Sequence, residues 1–305
     1  MTITASETEL NDRFPQFATA ASDVRFSYSK PDDRLLRRLV VRGIERFSGQ
    51  PKLQRMYLDW AAHPTSGENI FAAAMRLMKV KVNCDEAALM AAPKQGPLLI
   101  IANHPFGVVD GLAIMAMATR LRPDVKMLVH SILCQPPELK NYLLPIDFAG
   151  TADARNTSAT TRRRTVEWLA HGHCVVIFPA GGVATAQQPF TGKAVDAPWH
   201  EFVSRLTRVA NLKILPVFFE GQNSRLFQIA SHISFNLRLA LVFRESARRI
   251  GGTISAKIGT AIEAASLPHK AGKKAVMQHL RHATYALGGE DGSNEYIWPK
   301  YVKVD

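Results

Sequence analysis

The stretch IANHPFGVVDG, residues 101–111, decides how this 305-residue chain is read. An apolar run, PLLIIA (97–102), feeds straight into Asn103, His104 and Pro105. Gly107 permits a turn, and an apolar pattern of helical period follows Asp110 and Gly111. A buried strand, a turn and a helix form the unit of a parallel α/β sheet, where functional groups gather just beyond the C-terminal ends of the strands. His104 and Asp110 both fall at such an end.

The same alternation recurs on either side. Short β-rich runs occur at KVKV (79–82), VKMLVH (125–130), CVVIFP (174–179), LKILPVFFE (212–220), LRLALVF (237–243) and TISAKIG (253–259). Helical patterns lie between them over 111–121, 158–170 and 200–210. The expected fold is therefore α/β, with a mainly parallel central sheet flanked by helices on both faces. Before it, Leu36, Leu39, Val40, Ile44 and Phe47 fall on one stripe of a helix over 34–47, with Arg34, Arg37, Arg38, Arg42 and Arg46 mostly off that stripe. Leu53, Met56, Tyr57 and Trp60 mark a second helix that His63 and Pro64 stop, and Ser66 is placed to cap a third running through Met78. A further helix over 270–287 precedes the tail. This divides the chain into an N-terminal basic amphipathic helical extension (1–65), a central α/β region (66–265) and a C-terminal helix with its tail (266–305). No internal repeat is present.

Composition narrows the partners. With 47% hydrophobic and 21% charged residues the chain has a globular balance, which excludes disorder and collagen-like repeats. Lys and Arg number 38 against 26 Asp and Glu, a net charge of +12, which suits an anionic membrane surface or a phosphorylated substrate. Nucleic acid is not expected, because no zinc finger, RNA-recognition aromatic motif or helix-turn-helix is recognisable. Cys84, Cys134 and Cys174 form no C-x-x-C pair, so neither a disulfide scaffold nor a zinc ribbon is indicated. His171 and His173 lack a third ligand at metal spacing and read as a turn. No signal peptide precedes the first helices, and no 18-residue apolar run occurs, so a protein of this kind that meets a membrane lies on it.

A histidine with a carboxylate aimed at one ring nitrogen is a general-base pair: the aspartate holds the tautomer while the other nitrogen takes a proton. Taken singly, His104 also reads as a hydrogen-bonder at a strand end and Asp110 as a helix cap. No G-x-S-x-G elbow, P-loop or G-x-G-x-x-G is present, so the pair has no protein nucleophile to activate. The base is then expected to act on a hydroxyl of the substrate.

Three blocks in order, Asn103-His104-Pro105 to Asp110-Gly111, then Phe178-Pro179-Ala180-Gly181-Gly182, then Leu215-Pro216-Val217, resemble the phospholipid/glycerol acyltransferase (lysophospholipid acyltransferase) superfamily. The resemblance covers about residues 70–262. The run 219–224 looks like the hemolysin-like branch related to lyso-ornithine-lipid acyltransferases. The resemblance implies a glycerolipid-acyltransferase-like fold, His104 as base and Asp110 as its orienting partner. It implies a lysolipid acceptor, acyl-CoA or acyl carrier protein as acyl donor, no bound cofactor or metal, and a peripheral place on the cytoplasmic membrane face. Asn103, Pro105, Gly107 and Gly111 of the first block are expected to bind substrate, and Phe178, Pro179, Gly181 and Gly182 would line the acceptor site.

The chain departs from that family in three ways. Five residues rather than four separate His104 from Asp110. Ala180 stands where a glutamate is usual. After Ile146 and Asp147 comes Phe148 rather than an arginine, leaving Arg155 as the candidate for that role. An acceptor other than a glycerol phosphate is therefore credible. Glu220 reads either as an acceptor-site carboxylate or as a strand-end ion pair, and Asn223 and Ser224 as helix caps that line the site. Arg162, Arg163 and Arg164 read as a phosphate clamp or as a solvated face. The alternatives to esterification are a lipid-binding or assembly protein on a degenerate acyltransferase scaffold, and a thioesterase or lysophospholipase with water as acceptor.

Overall fold

A computed structural model describes residues 20–24, 49–146 and 152–302. The arginine-rich helix expected over 34–47 lies outside these residues, as do Asp147 and Phe148.

The centre is a mixed eight-stranded sheet. Its strands are β1 (Lys81–Cys84), β2 (Leu98–Ala102), β3 (Val125–His130), β4 (Leu143–Ile146), β5 (Cys174–Ile177), β8 (Lys213–Phe219), β9 (Thr253–Ile258) and the short β10 (Ile262–Glu263). The order is β1-β9-β8-β2-β5-β3-β4, with β10 beside β8. From β8 to β4 every neighbour is parallel, whereas β9 runs against β8 and carries β1 parallel to itself. Pro216 tolerates a central strand because it faces the bend between β9 and β10, where its missing N–H has no ladder partner, and Gly259 donates to its carbonyl at 2.9 Å.

All five residues of β2 are buried, as expected of a strand covered on both faces. Leu98, Ile100 and Ala102 pack under α1 (Gln50–Ala62), α2 (Ile70–Leu77) and α4 (Val108–Leu121), while α3 (Glu86–Ala91) lies at the edge of that layer. Leu99 and Ile101 pack under α5 (Ala152–Ala170), the single turn α6 (Val203–Leu206) and α9 (Lys273–Ala286). A two-stranded hairpin, β6 (Thr185–Ala186) and β7 (Ala194–Val195), and the helix pair α7 (Arg225–Ile233) and α8 (Phe235–Arg248) close the end of the sheet beyond His104.

Four expectations are corrected. LRLALVF (237–243) is not a strand but the middle of α8; Ser234 caps that helix by accepting from the Leu237 N–H, and Ala240, Leu241 and Phe243 are buried at helical spacing. Asn69, not Ser66, caps α2, accepting from the Phe71 and Ala72 N–H groups at 3.1 and 2.9 Å. The helix expected over 200–210 contracts to α6. The helix expected over 158–170 begins earlier, at Ala152, and within it Thr161 donates to the Pro145 carbonyl at 2.7 Å and Thr165 to Thr161 at 2.8 Å, so the buried hydroxyls are satisfied.

Candidate active site

Strand β2 stops pairing at Ala102, and the Asn103 amide replaces the next rung. Its Nδ2 donates to the Phe219 carbonyl at 2.9 Å and its Oδ1 accepts from the Phe219 N–H at 2.7 Å, which binds the ends of β2 and β8 together. His104 then leaves the sheet. Its backbone N–H donates to Asp196 Oδ1 at 3.1 Å and its carbonyl accepts from Ala184 at 2.7 Å.

The chain reverses at Gly107, whose φ of +91° is open to glycine, and a side chain there would press on Val183 and Val242 at 3.1 and 3.3 Å. The reversal brings Asp110, in the first turn of α4, back toward His104. Asp110 Oδ1 lies 3.1 Å from His104 Nδ1, an ion-pair approach without a formed hydrogen bond, whereas its bonds to the backbone are complete. Those bonds come from the Phe106 N–H to Oδ2 at 2.8 Å and from the Gly111 N–H to Oδ1 at 2.9 Å. The carboxylate is fully buried, and the helix N-terminus favours its charge. The His104 ring stacks on Phe178 with centroids 3.9 Å apart. With Nδ1 buried against Asp110, the opposite edge of the ring, which carries Nε2, is the part left to face the cavity that His104 lines.

That cavity holds about 1720 Å³. Leu53, Met56 and Trp60 of α1, Phe71 of α2, and Met127 and Val129 of β3 form its apolar side. His104 with Asp110 therefore stands at the wall of a chamber large enough for a long aliphatic chain.

The model of a family described as Acyltransferase matches residues 56–290. The chain belongs to this acyltransferase family. Two similar proteins are the lyso-glycine lipid O-acyltransferases of Phocaeicola vulgatus (24% identical over 203 residues, 64% of this chain and 69% of that protein) and Bacteroides thetaiotaomicron (24% over 204 residues, 64% and 71%). A solved structure with some likeness is the 1-acyl-sn-glycerophosphate (LPA) acyltransferase PlsC of Thermotoga maritima, at 13% identity and a TM-score of 0.43, covering 86% of this chain and 84% of that one.

In this acyltransferase, Gly107, Gly111, Phe178 and Pro179 line the cavity beside His104. So do Gly181 and Gly182, and a side chain at Gly182 would meet only open space. Asn103 and Pro105 are buried behind that wall, in the scaffold of the turn. Glu220 and Asn223, also expected at the substrate, are not brought to the cavity either. Glu220 is exposed and pairs with Lys257 at 2.7 Å, because its N–H donates to the Ser255 carbonyl and so continues the β8–β9 pairing beside Lys257. Asn223 donates to the Phe106 carbonyl at 3.3 Å and so supports the turn from beneath, while the Ser224 hydroxyl caps α7 and donates to Glu245 at 2.6 Å. Arg155 lies in α5, and its side chain is outside the described atoms. The three consecutive arginines divide: Arg162 lines the cavity beside Phe202, and Arg163 pairs with Glu167 in solvent.

Sequence reasoning missed Asp196. Fully buried, it accepts from the His104 N–H and from Trp199 Nε1 at 3.0 Å. Burial pushes its carboxyl up from the usual range, against the pull of Trp199 and the Arg281 charge. The available signal was an aspartate within an otherwise apolar VDAPW run, just before Trp199. Arg249, 3.8 Å over the Phe106 ring, and Arg238 were missed too, the latter because its helix read as a strand.

Proposed function

We propose that this acyltransferase esterifies the hydroxyl of a lysolipid, with His104 as general base and Asp110 as the group that orients it. The carrying observation is the 3.1 Å approach of Asp110 to His104 Nδ1 at the wall of the apolar cavity. Asp110 holds the ring proton on Nδ1, so Nε2 takes the proton of the acceptor hydroxyl. The oxygen attacks the carbonyl carbon of an acyl thioester, the C–S bond breaks, and the imidazolium returns its proton to the departing thiolate. The thiol carrier is coenzyme A or acyl carrier protein, and Arg162, Arg205, Lys273 and Lys274 on the cavity lining supply cations for its phosphates.

The names of the relatives point to a lyso-glycine-lipid type of acceptor. Ala180, buried where the wider superfamily usually has a glutamate, agrees with an acceptor other than a glycerol phosphate. The protein works from a membrane surface. No described helix is long and apolar enough to cross a membrane. Phe190, Leu226, Ile233 and Ile297 are exposed, and hydrogen bonds tie together the segments that carry them: Arg225 to Gly192 and Thr191, and Ile297 to Gln187. Such a patch suits insertion at a lipid interface, and the net charge of +12 draws the protein to anionic headgroups.

The test is transfer of a labelled acyl group from the thioester to a panel of lysolipids. Wild-type protein forms esterified product, and His104→Ala lowers kcat by about 10²–10⁴-fold with an unchanged melting temperature. Wild-type-like rates in that variant, binding without product, or release of free fatty acid alone each overturn the proposal.

A further inference from the structure

Arg238 is a buried cation that the acyl-transfer chemistry leaves unused. It sits in α8 with 3% of its surface exposed and lines the same cavity as His104. Its Nη1 donates to Ser231 Oγ at 2.9 Å and to Thr185 Oγ1, and its Nη2 donates to the Val183 carbonyl. All three acceptors are neutral, and no carboxylate among the described residues pairs with it. Phe227 and Trp298 enclose the guanidinium with ring centroids 4.9 and 5.0 Å away. Burial pushes it down to about 10, so it stays charged at neutral pH.

A second polar group at the same place also lacks a partner. Tyr296 is 1% exposed and lines the cavity, and its buried hydroxyl makes no hydrogen bond. It stands close enough to Arg238 for the guanidinium charge to act on the phenol. Burying an unpaired charge beside an unpaired hydroxyl is unfavourable unless something else completes both. A guanidinium has five N–H donors, and the three bonds above leave two. Those two and the phenol O–H form a donor set that an anion would satisfy.

The location relative to the base follows from the packing. The carbonyl that Arg238 holds belongs to Val183, and the next residue, Ala184, donates to the His104 carbonyl at 2.7 Å. Val242, one helical turn along α8 from Arg238, packs with Val183 at Gly107. An acceptor hydroxyl at His104 and an anionic group at Arg238 therefore lie a short molecular span apart.

We propose that Arg238 and Tyr296 form the headgroup subsite of this enzyme and take a single carboxylate, so that it selects lysolipids with a free amino-acid carboxyl group. This rests on the acyl-transfer reading of the cavity. A planar guanidinium matches a carboxylate bidentately. One cation with one neutral donor balances a monoanion and would leave part of a phosphate dianion uncompensated. The neighbouring Arg281 adds nothing, since its donors go to the carbonyls of Gly292, Ala197, Asp196 and Asn294.

The test is binding of N-palmitoylglycine and its methyl ester, read by calorimetry. Neither carries a hydroxyl, so binding is measured without turnover. Wild-type protein binds the acid about 10- to 100-fold more tightly than the ester, the worth of a hydrogen-bonded ion pair. Arg238→Gln brings the two within about twofold, and Tyr296→Phe lowers the ratio by about three- to tenfold without changing the charge. Equal binding of acid and ester by the wild type overturns the subsite whether or not the variants fold. So does a ratio that survives Arg238→Gln, or tighter binding of palmitoyl lysophosphatidic acid than of the acid. Preference for the acid without any transfer activity supports the subsite and removes the acyltransfer proposal; transfer without that preference does the reverse.

Discussion

On one side of His104 the turn after Pro105 folds back until Asp110 meets the imidazole; on the other, the loop after β7 brings Asp196 to the same residue's backbone N–H. Both carboxylates are fully buried, and both accept from donors on neighbouring backbone or side chains. They differ in what they hold. Asp110 reaches the ring. Asp196 reaches the chain and, with Trp199, sets where the ring starts from. The comparison teaches that a histidine at a strand end is held by two supports, one at its ring and one at its main chain, and that only the first need touch the imidazole.

Substitution separates these roles. Asp110→Asn has the larger effect: kcat falls by about 10²-fold, because an amide no longer favours the imidazolium. The reading is sunk if steady-state rates match the wild type. Asp196→Asn gives the intermediate effect and shows itself chiefly in stability. Its single carbonyl oxygen cannot serve both the His104 N–H and Trp199 Nε1, and the orphaned donor costs about 1–3 kcal/mol in urea titration. Its loss of rate is smaller than that of Asp110→Asn, and the reverse ranking breaks the distinction. Glu220→Gln marks the lower end. An exposed ion pair with Lys257 is worth less than about 1 kcal/mol, so stability and acyl transfer both stay near wild type. A large loss of rate there would return Glu220 to the acceptor site.

The strand ends of the site were legible in the sequence because β2, β3, β5, β8 and β9 are short apolar runs bounded by turns, and PLLIIA followed by Asn103 and His104 leaves little choice of register. The LRLALVF run misled because seven residues fit either period; the serine cap before it and an arginine inside it were the signs of a helix. That misreading hid Arg238, since a charge in a buried strand has no use, whereas on one face of α8 it reaches the cavity. Asp196 was illegible for another reason. Its partner is 92 residues away along the chain, and such a pairing exists only once the hairpin has docked on the sheet.

Arg281 gathers the carbonyls of Asp196 and Ala197 together with those of Gly292 and Asn294. The wall carrying Tyr296 and Trp298 is thus moored to the loop that holds His104 nearly 200 residues earlier. One guanidinium therefore couples the side of the cavity that carries Tyr296 to the segment that fixes His104.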